Sequence, residues 1–483
     1  MLLKHFFIEK IAHSSYLLAG AKTCAVIDPS RDVDIYLREA RSRGLRITHI
    51  LETHLHADFI SGHLDLARAT GAKICAPGSA GCAFDHEPLV EGDTVEIEGM
   101  LLRVLETPGH TPEHIAYVVV DRSRGDEPIG VFCGDTLFVG DVGRPDLFPD
   151  NARELAGRLF HSLHDKLLRL PDFCEIYPAH GAGSLCGRSV GAKYRSTIGY
   201  ERRFNRALLI ESKEEFIRSL TTDMPPTPDH FGRCSEINRR GPALIEDLPP
   251  LRPLEPAAFR AAIDDSTIVL DVRSYDAFGS QHVPMAMHID LGGNFPTFAG
   301  WVLPPDARIM LVAEGPEQAE TANLWARRVG VDGITHYLDG GMFAWAVHGM
   351  PTAHLAHISA RELHDMMGGA EGFTLIDVRS RVEFDDHHIE GAINVPAPDL
   401  RHRHEEFDRR RTTVLICSTG HRSSLGASIL QRHYFERVIN AAGGMKGYSA
   451  AGFARECLVC DNPHGSRFSG ATDSSGPRRG SGG

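Results

Sequence analysis

Residues 53–59 read Thr-His-Leu-His-Ala-Asp-Phe, which spaces His54, His56 and Asp58 at alternate positions. They follow an apolar run, Ile47 to Leu51, that reads as a strand, so two imidazoles and a carboxylate share one loop where they can converge on a metal ion. In the two-metal form of such a motif another histidine follows the aspartate. Here Phe59 stands in its place, and a benzyl ring ligates nothing. Far downstream, the apolar run Thr413-Val-Leu-Ile416 leads into Cys417-Ser-Thr-Gly-His-Arg422-Ser-Ser and then a helix predicted over Leu425 to Gln431. A cysteine between a strand and a helix N-terminus sees backbone N–H groups and the positive end of the helix dipole, and both favour its thiolate. The thiolate is the form that attacks sulfane sulfur, and Arg422 adds positive charge five residues on.

The elements that must position these residues fall into two patterns. Up to about residue 210, short β runs (Cys24 to Ile27, Ile47 to Leu51, Leu101 to Leu105, Ile115 to Val120, Glu175 to Tyr177) alternate with helical stretches such as Asp32 to Arg43 and Asp65 to Thr70. Prolines then cluster between 222 and 256 with little periodicity, which marks a linker packed on a domain. Beyond it lies an internal repeat. Val269-Leu-Asp-Val-Arg-Ser274 is matched by Leu375-Ile-Asp-Val-Arg-Ser380, and Leu338-Asp-Gly-Gly-Met342 by Asn440-Ala-Ala-Gly-Gly-Met445. Each copy alternates strands with helices and implies a small parallel α/β domain. The tail, 463–483, is rich in Gly, Ser and Arg and is expected to be disordered.

Bulk properties narrow the partners. The 483-residue chain is long enough for three domains, and its net charge of −13 argues against nucleic acid. Ten cysteines without a framework spacing, and no secretory apolar segment before them, fit reduced thiols in a cytoplasm. The segment Leu2 to Ala19 is interrupted by charge too often to span a membrane and reads as a first hairpin. A homo-oligomer is left open.

Four later segments extend the metal motif: Thr107-Pro-Gly-His110, Gly134-Asp135-Thr, Gly140-Asp-Val-Gly-Arg144 and Tyr177-Pro-Ala-His180-Gly. Each sets a His, Asp or Arg in a Gly/Pro-rich loop just after an apolar strand. With 27 histidines a chance His-x-His is common, but chance does not also supply the other four segments in order. Over about residues 1–210 this set resembles the metallo-β-lactamase superfamily, which implies an αββα sandwich holding one or two metals at its edge. Hydrolases of the glyoxalase II type are similar but use the histidine that Phe59 replaces, so a depleted second site of Asp58 and His180 disfavours a dinuclear hydrolase. What remains is His54, His110 and Asp135. Two imidazoles and one carboxylate with open positions suit a single non-haem Fe(II) per chain better than zinc; His56 is either a further ligand or a hydrogen-bonding partner behind them. The set resembles persulfide dioxygenases of the ethylmalonic-encephalopathy-protein family, which oxidise glutathione persulfide with O₂ to sulfite and glutathione. That resemblance makes Arg144 a candidate to pair with a glutathione carboxylate.

The second repeat, with Asp377-Val-Arg379, Glu383, His388-Ile-Glu-Gly391 and Gly443-Gly-Met445 around Cys417, resembles a rhodanese. This implies Cys417 as nucleophile, with Arg422, Arg379 and the loop Ser418, Thr419, Gly420, His421 and Ser423 binding the persulfide or an incoming thiosulfate. Aligning Gly315 with Gly420 puts Val312 opposite Cys417 and Glu317 opposite Arg422, so the first repeat is expected to be an inactive rhodanese-like domain serving as spacer or interface. Its Trp301, Trp325 and Trp345 could anchor packing. Cys186 reads as a small buried filler close to the metal loops, and Cys457-Leu-Val-Cys460 is too weak a pair to carry a function.

The expected architecture is an α/β multidomain chain: a metallo-β-lactamase-fold persulfide dioxygenase domain with its linker (1–245), an inactive rhodanese-like domain (246–353), a catalytic rhodanese (354–462) and the tail. The expected function is persulfide oxidation coupled to a thiosulfate or persulfide sulfurtransferase, with a low-molecular-weight persulfide such as glutathione persulfide, O₂, and thiosulfate or sulfite as reactants, in sulfide detoxification. A zinc thioester hydrolase with an appended sulfurtransferase, and a persulfide sensor or relay, are the alternatives.

Overall fold

The structure is a computed structural model that describes residues 1–188, 190–222, 224, 226–369 and 372–455. The N-terminal half is two facing six-stranded sheets. The first runs, in spatial order, Leu2–Ile8, His13–Ala19, Thr23–Ile27, Arg46–Leu51, Lys73–Pro77 and Glu87–Leu89; the second is Ser196–Thr197, Glu175–Pro178, Pro128–Gly134, Ile115–Asp121, Met100–Glu106 and Thr94–Ile97. Leu2 to Ala19 is the hairpin its sequence suggests. Alternating side chains of the two sheets, among them Tyr16, Leu18, Leu51, Leu102, Val104, Tyr117 and Phe132, fill the space between them. Helices such as Asp34–Ser42 and Ala152–His161 cover the outer faces, giving the αββα sandwich.

Each repeat is a five-stranded parallel sheet with the same strand order. The first is Arg252–Leu254, Ile334–Leu338, Arg308–Val312, Thr267–Asp271, Met287–His288; the second is Ala356–Ile358, Val438–Ala441, Thr413–Ile416, Thr374–Asp377, Ile393–Asn394. Register corrects the sequence alignment by one residue. Asp271 pairs with Val312 and Asp377 with Ile416, so Val312 corresponds to Ile416 and Ala313, not Val312, corresponds to Cys417. The loop that follows is one residue shorter in the first repeat, and anchoring the alignment on Gly315 hid this.

The proline-rich stretch contains a helix, His230–Arg240, that straps the metal loop to the first repeat. The Asn238 amide donates to the carbonyls of His56 and Phe59, both at 2.8 Å, and accepts from the Ser61 N–H at 2.9 Å. Cys234 Sγ lies 3.6 Å from the Val329 carbonyl, and a Cβ at Gly300 would lie 2.8 Å from the His230 ring. Buried Arg31 forks onto Asp332 (2.7 and 3.0 Å), and Arg328 onto Asp32 (2.7 and 2.6 Å). Ile8, Ile11 and Phe59 belong to the apolar core that continues into the first repeat through Phe295, Phe298 and Val302. Trp345 is buried there with its indole N–H on the Pro351 carbonyl, Trp325 lies under the Arg328 guanidinium, and the Trp301 carbonyl accepts from Arg401 of the second repeat. Residues 456–483, with Cys457 and Cys460 and the whole predicted tail, lie outside the described residues.

Asn238→Ala would leave two buried carbonyls and one N–H unpaired. A loss of roughly 2–3 kcal/mol is expected, read as a lowered thermal midpoint of the full chain.

Candidate functional site

Every metal-loop residue leaves the C-terminal end of a strand. Asp135 directly follows Pro128–Gly134, and Gly134 has φ +50, with a Cβ there falling 2.5 Å from His114 Nε2 and 2.6 Å from Thr53 Oγ1. Only glycine lets the strand turn so close to these groups. The ligand atoms of His54, His110 and Asp135 lie within 4.8 Å of one another, all fully buried. His54 Nδ1 is 2.9 Å from Thr53 Oγ1, which itself donates to Asp28 at 3.0 Å; His110 Nδ1 donates to the Arg144 carbonyl at 2.8 Å. Both rings are thereby fixed with hydrogen on Nδ1. Their Nε2 atoms have no hydrogen-bond partner and face Asp135 Oδ2 at 3.7 and 3.3 Å. Two bare imidazole nitrogens and a carboxylate oxygen around one point fit a divalent metal.

Electrostatics separates the four central imidazoles into two kinds. Burial, then the neighbouring His56, holds His54 well below its usual range, and burial also lowers His110 against the opposing pull of Asp135. Both are neutral, as ligands must be. Burial also acts to lower His180, but Asp135 and Asp58 outweigh it and raise the ring well above its usual range. Its Nδ1 is 2.8 Å from Asp135 Oδ1 and its Nε2 2.9 Å from Asp58 Oδ2. Asp135 itself is held well below the carboxylate range because His180 and His110 overcome its burial. His56 is likewise raised, burial being outweighed by Asp28, and it turns away from the triad toward Asp28 (3.2 Å) and Glu52 (3.6 Å).

Phe59 is fully buried with its ring 3.9 Å from that of His13 and 4.3 Å from that of His56. Cys186 joins Asp58 and His180 as a second group of donor atoms within 4.8 Å, and burial followed by the nearby carboxylates pushes its thiol well up. Arg144 departs from its expected role. It is buried and its fork is bidentate to Asp146 at 2.7 Å, so it builds the loop and presents its carbonyl to His110 instead of receiving a ligand carboxylate. A cleft of about 620 Å³ opens beside the triad instead, reaching Leu55, Ala57 and His114 and edged by Arg158 and Arg239; His114 stacks on His54 at 4.7 Å. The sequence does not single out Asp28, His114 and Asn238, whose roles depend on contacts between distant segments, nor Thr53 and Glu52, which flank the motif but act through contacts that only the folded loop sets.

In the second repeat, Cys417 Sγ accepts from the Gly420 N–H at 3.1 Å and the Ser423 hydroxyl at 3.3 Å. Helix His421–Arg432 begins directly after Gly420, whose φ of +107 lets the loop curl over the sulfur. Gly444 is required by contact as well as by φ: a Cβ there would fall 2.3 Å from the Cys417 carbonyl. Arg422 forks onto Glu383 at 2.6 and 2.7 Å, which raises Arg422 despite its burial and holds Glu383 below the carboxylate range despite its own. Arg379, expected to bind substrate, is fully buried and bidentate to Asp377, with a further bond to the His387 carbonyl. It braces the turn. In the first repeat the corresponding positions are Ala313 for Cys417, Glu317 for Arg422 and Ala277 for Glu383, so the thiol, the guanidinium and its carboxylate partner do not recur there.

Family comparison agrees with this architecture. A metallo-β-lactamase superfamily model matches residues 9–180, and a rhodanese-like domain model matches 255–348 and 359–451. The chain belongs to the metallo-β-lactamase superfamily and carries two rhodanese-like domains. It is similar to the mitochondrial persulfide dioxygenase ETHE1 of Mus musculus, with 30% identity over 50% of this chain and 88% of that protein. It is also similar to the hydroxyacylglutathione hydrolase of Pseudomonas aeruginosa (strain LESB58), with 34% identity over 45% of this chain and 80% of that protein. A solved metallo-β-lactamase structure from Staphylococcus aureus subsp. aureus COL covers 70% of this chain and 99% of its own at 34% identity, with a TM-score of 0.64. No helix among the described residues is long and apolar enough to cross a membrane.

Two outcomes follow from the geometry. Asp135→Asn should lower bound metal at least tenfold by elemental analysis while the circular dichroism spectrum is unchanged. The depressed Glu383 gives a folding contribution fully present above its unfolded value of about pH 4.3, and lost as pH falls through the lower folded value. The hydrogen-exchange protection factors of residues 413–432, each taken relative to the intrinsic rate at that pH, should therefore fall with acid more steeply in the wild type than in Glu383→Gln.

Proposed function

We propose that the chain is a persulfide dioxygenase fused to a sulfurtransferase, and that His54, His110 and Asp135 hold one Fe(II). The observation that carries this reading is the pair of unpartnered Nε2 atoms facing a single carboxylate oxygen, a two-His, one-carboxylate set. Fe(II) in that position would supply the one-electron redox chemistry that O₂ activation requires. The protein's own groups do the rest. Thr53 and the Arg144 carbonyl hold the two ligand rings in the correct tautomer, and His180 compensates the charge of Asp135 and Asp58. Residues 59 and 13 place apolar and neutral ring surface behind His56, limiting water there. The cleft at His114 is of a size for a tripeptide persulfide, and Arg158 at its edge is placed to meet a carboxylate. The overall reaction balances as glutathione persulfide plus O₂ and water giving glutathione, sulfite and two protons. Glutathione persulfide stands here for a low-molecular-weight persulfide.

In the second repeat, the Cys417 thiolate is cradled by the Gly420 N–H and the Ser423 hydroxyl, donors equally suited to a terminal persulfide sulfur. It would carry sulfane sulfur between thiosulfate, or sulfite in the reverse direction, and a thiol. A zinc thioester hydrolase is the second reading, favoured by the Pseudomonas relative and by the Asp58–His180–Cys186 group beside the triad. It predicts turnover of S-lactoylglutathione.

Anaerobic reconstitution with iron, followed by glutathione persulfide and O₂, should give O₂ uptake with one sulfite formed per O₂. An iron-loaded protein that takes up no O₂ contradicts the proposal. Cys417→Ser should keep that uptake and lose thiosulfate-dependent sulfur transfer by at least about a thousandfold, the scale of removing a covalent nucleophile.

A further inference from the structure

The three ligands of the metal triad leave three different strands, and a single residue outside the triad is bonded to all three loops. His114 is fully buried, directly before the strand Ile115–Asp121. Its backbone carbonyl accepts from the Thr107 N–H at 2.8 Å, where the loop to His110 begins. The N–H of the next residue, Ile115, donates to the Thr53 carbonyl at 2.9 Å, one residue before His54. Its side chain reaches the third loop, where the Asp135 N–H donates to His114 Nε2 at 2.9 Å. The ring also backs His54, stacked on it with centroids 4.7 Å apart and planes inclined by 21°. The two backbone bonds do not depend on the side chain, but the bond from Asp135 needs an acceptor at this position.

The hydrogen bonds fix the state of the ring. A backbone N–H can only donate, so Nε2 carries no hydrogen and the ring is neutral, in keeping with the burial that lowers it to about 3. The hydrogen is then on Nδ1, which lies 2.9 Å from Thr107 Oγ1 and 3.1 Å from Thr136 Oγ1. Thr136 gives its own hydrogen to the Thr107 carbonyl at 3.2 Å, so its oxygen is open to the ring. Both polar ends of the Gly134–Asp135 peptide are held in this way. Its N–H goes to His114, and its carbonyl accepts from the Ala179 N–H at 3.0 Å, one residue before His180. Gly134 makes room for the arrangement, since a Cβ there would fall 2.5 Å from His114 Nε2.

We propose that His114 is a positioning residue of the metal centre: its Nε2 fixes the Gly134–Asp135 peptide so that Asp135 Oδ2 faces the bare Nε2 atoms of His54 and His110 before an ion arrives. The proposal rests on the reading of the triad as a divalent-metal site. A donor oxygen set in place by the fold does not have to be ordered when the ion binds, and that saved ordering appears as affinity. Both ring nitrogens of His114 are engaged, so the ring that reaches the cleft is neither a further ligand nor a proton donor there. Its contribution to the chemistry passes through Asp135 and, by stacking, through His54.

The test uses the full chain, stripped of metal and titrated anaerobically with Co(II) against a chromophoric chelator, Co(II) standing in for Fe(II). His114→Asn loses the acceptor at the Nε2 position and should raise the Co(II) Kd about ten- to a hundredfold, the range expected when a group behind a metal ligand is removed. His114→Gln sets an amide oxygen near the place of Nε2 and should return the Kd to within about fivefold of wild type. His114→Phe keeps a ring on His54 without an acceptor, so it should weaken binding as His114→Asn does and shift the Co(II) d–d absorption bands. A role in packing alone predicts the reverse order, with His114→Phe binding better than His114→Gln. That order, or a wild-type Kd in both His114→Asn and His114→Phe, would overturn the proposal. The wild type supplies a test free of any folding defect: ring nitrogen NMR shifts of the metal-free chain should show hydrogen on His114 Nδ1 and none on Nε2, and the opposite tautomer would overturn the proposal as well. A wild-type chain whose Co(II) affinity is unchanged by Asp135→Asn would overturn the metal reading of the triad and the positioning role with it. That outcome is distinct from Asp135-dependent binding that the His114 variants leave unmoved, which overturns the positioning role alone.

Discussion

The Asp135 carboxylate has two oxygens with opposite duties, and the metal domain depends on keeping them apart. Oδ1 receives His180, whose far nitrogen is balanced by Asp58; Oδ2 faces the bare Nε2 atoms of His54 and His110. Burial without compensation would neutralise a carboxylate in such a place. The positive His180 keeps it ionised, and so keeps the donor oxygen charged at the point where the two neutral rings converge. One imidazole thus supplies charge balance while two others supply lone pairs, a division that residue type alone does not reveal.

The same economy of contacts explains the first repeat. Its nucleophile, cation and counter-ion positions hold Ala313, Glu317 and Ala277, and yet its fold is complete, with the same strand order and the Asp271–Arg273 fork mirroring Asp377–Arg379. It fixes the metal loop from one side, through the Arg328 carbonyl that accepts from the Ile60 N–H and the core shared with Phe59, and the Cys417 loop from the other, through Tyr275 and Asp290. The packing of the repeat is thus retained without those three residue types. The helix His230–Arg240 completes the junction, since Asn238 pins the backbone on both sides of Phe59.

What the sequence made legible was what is local. The runs Ile47 to Leu51 and Thr413 to Ile416 are strands of the structure to within a residue at either end, because continuous apolar β-formers between turn residues leave little alternative. The repeat was visible because its Asp-Val-Arg-Ser and Gly-Gly-Met segments are retained for backbone reasons, as Gly444 against the Cys417 carbonyl shows. Arg144 and Arg379 were read as anion binders although each has its carboxylate partner two residues away, in Asp146 and Asp377. A close reading of that spacing favours a self-contained fork. Asp28 behind Thr53, Asn238 behind Phe59 and Asp290 behind His421 could not be read, because each pair is separated by at least 25 residues and is joined only by packing. The helix among the prolines was hidden for a similar reason, its apolar face being matched to surfaces on two different domains.

Phe59 sits at the centre of the functional question, since its ring packs on His13 and His56 and joins the metal loop to the core of the neighbouring domain. The most direct test of the account is the metal content of the full chain purified without added metal and without exposure to air. One iron per chain, in the ferrous state, is the predicted result. Two zinc ions per chain would contradict it.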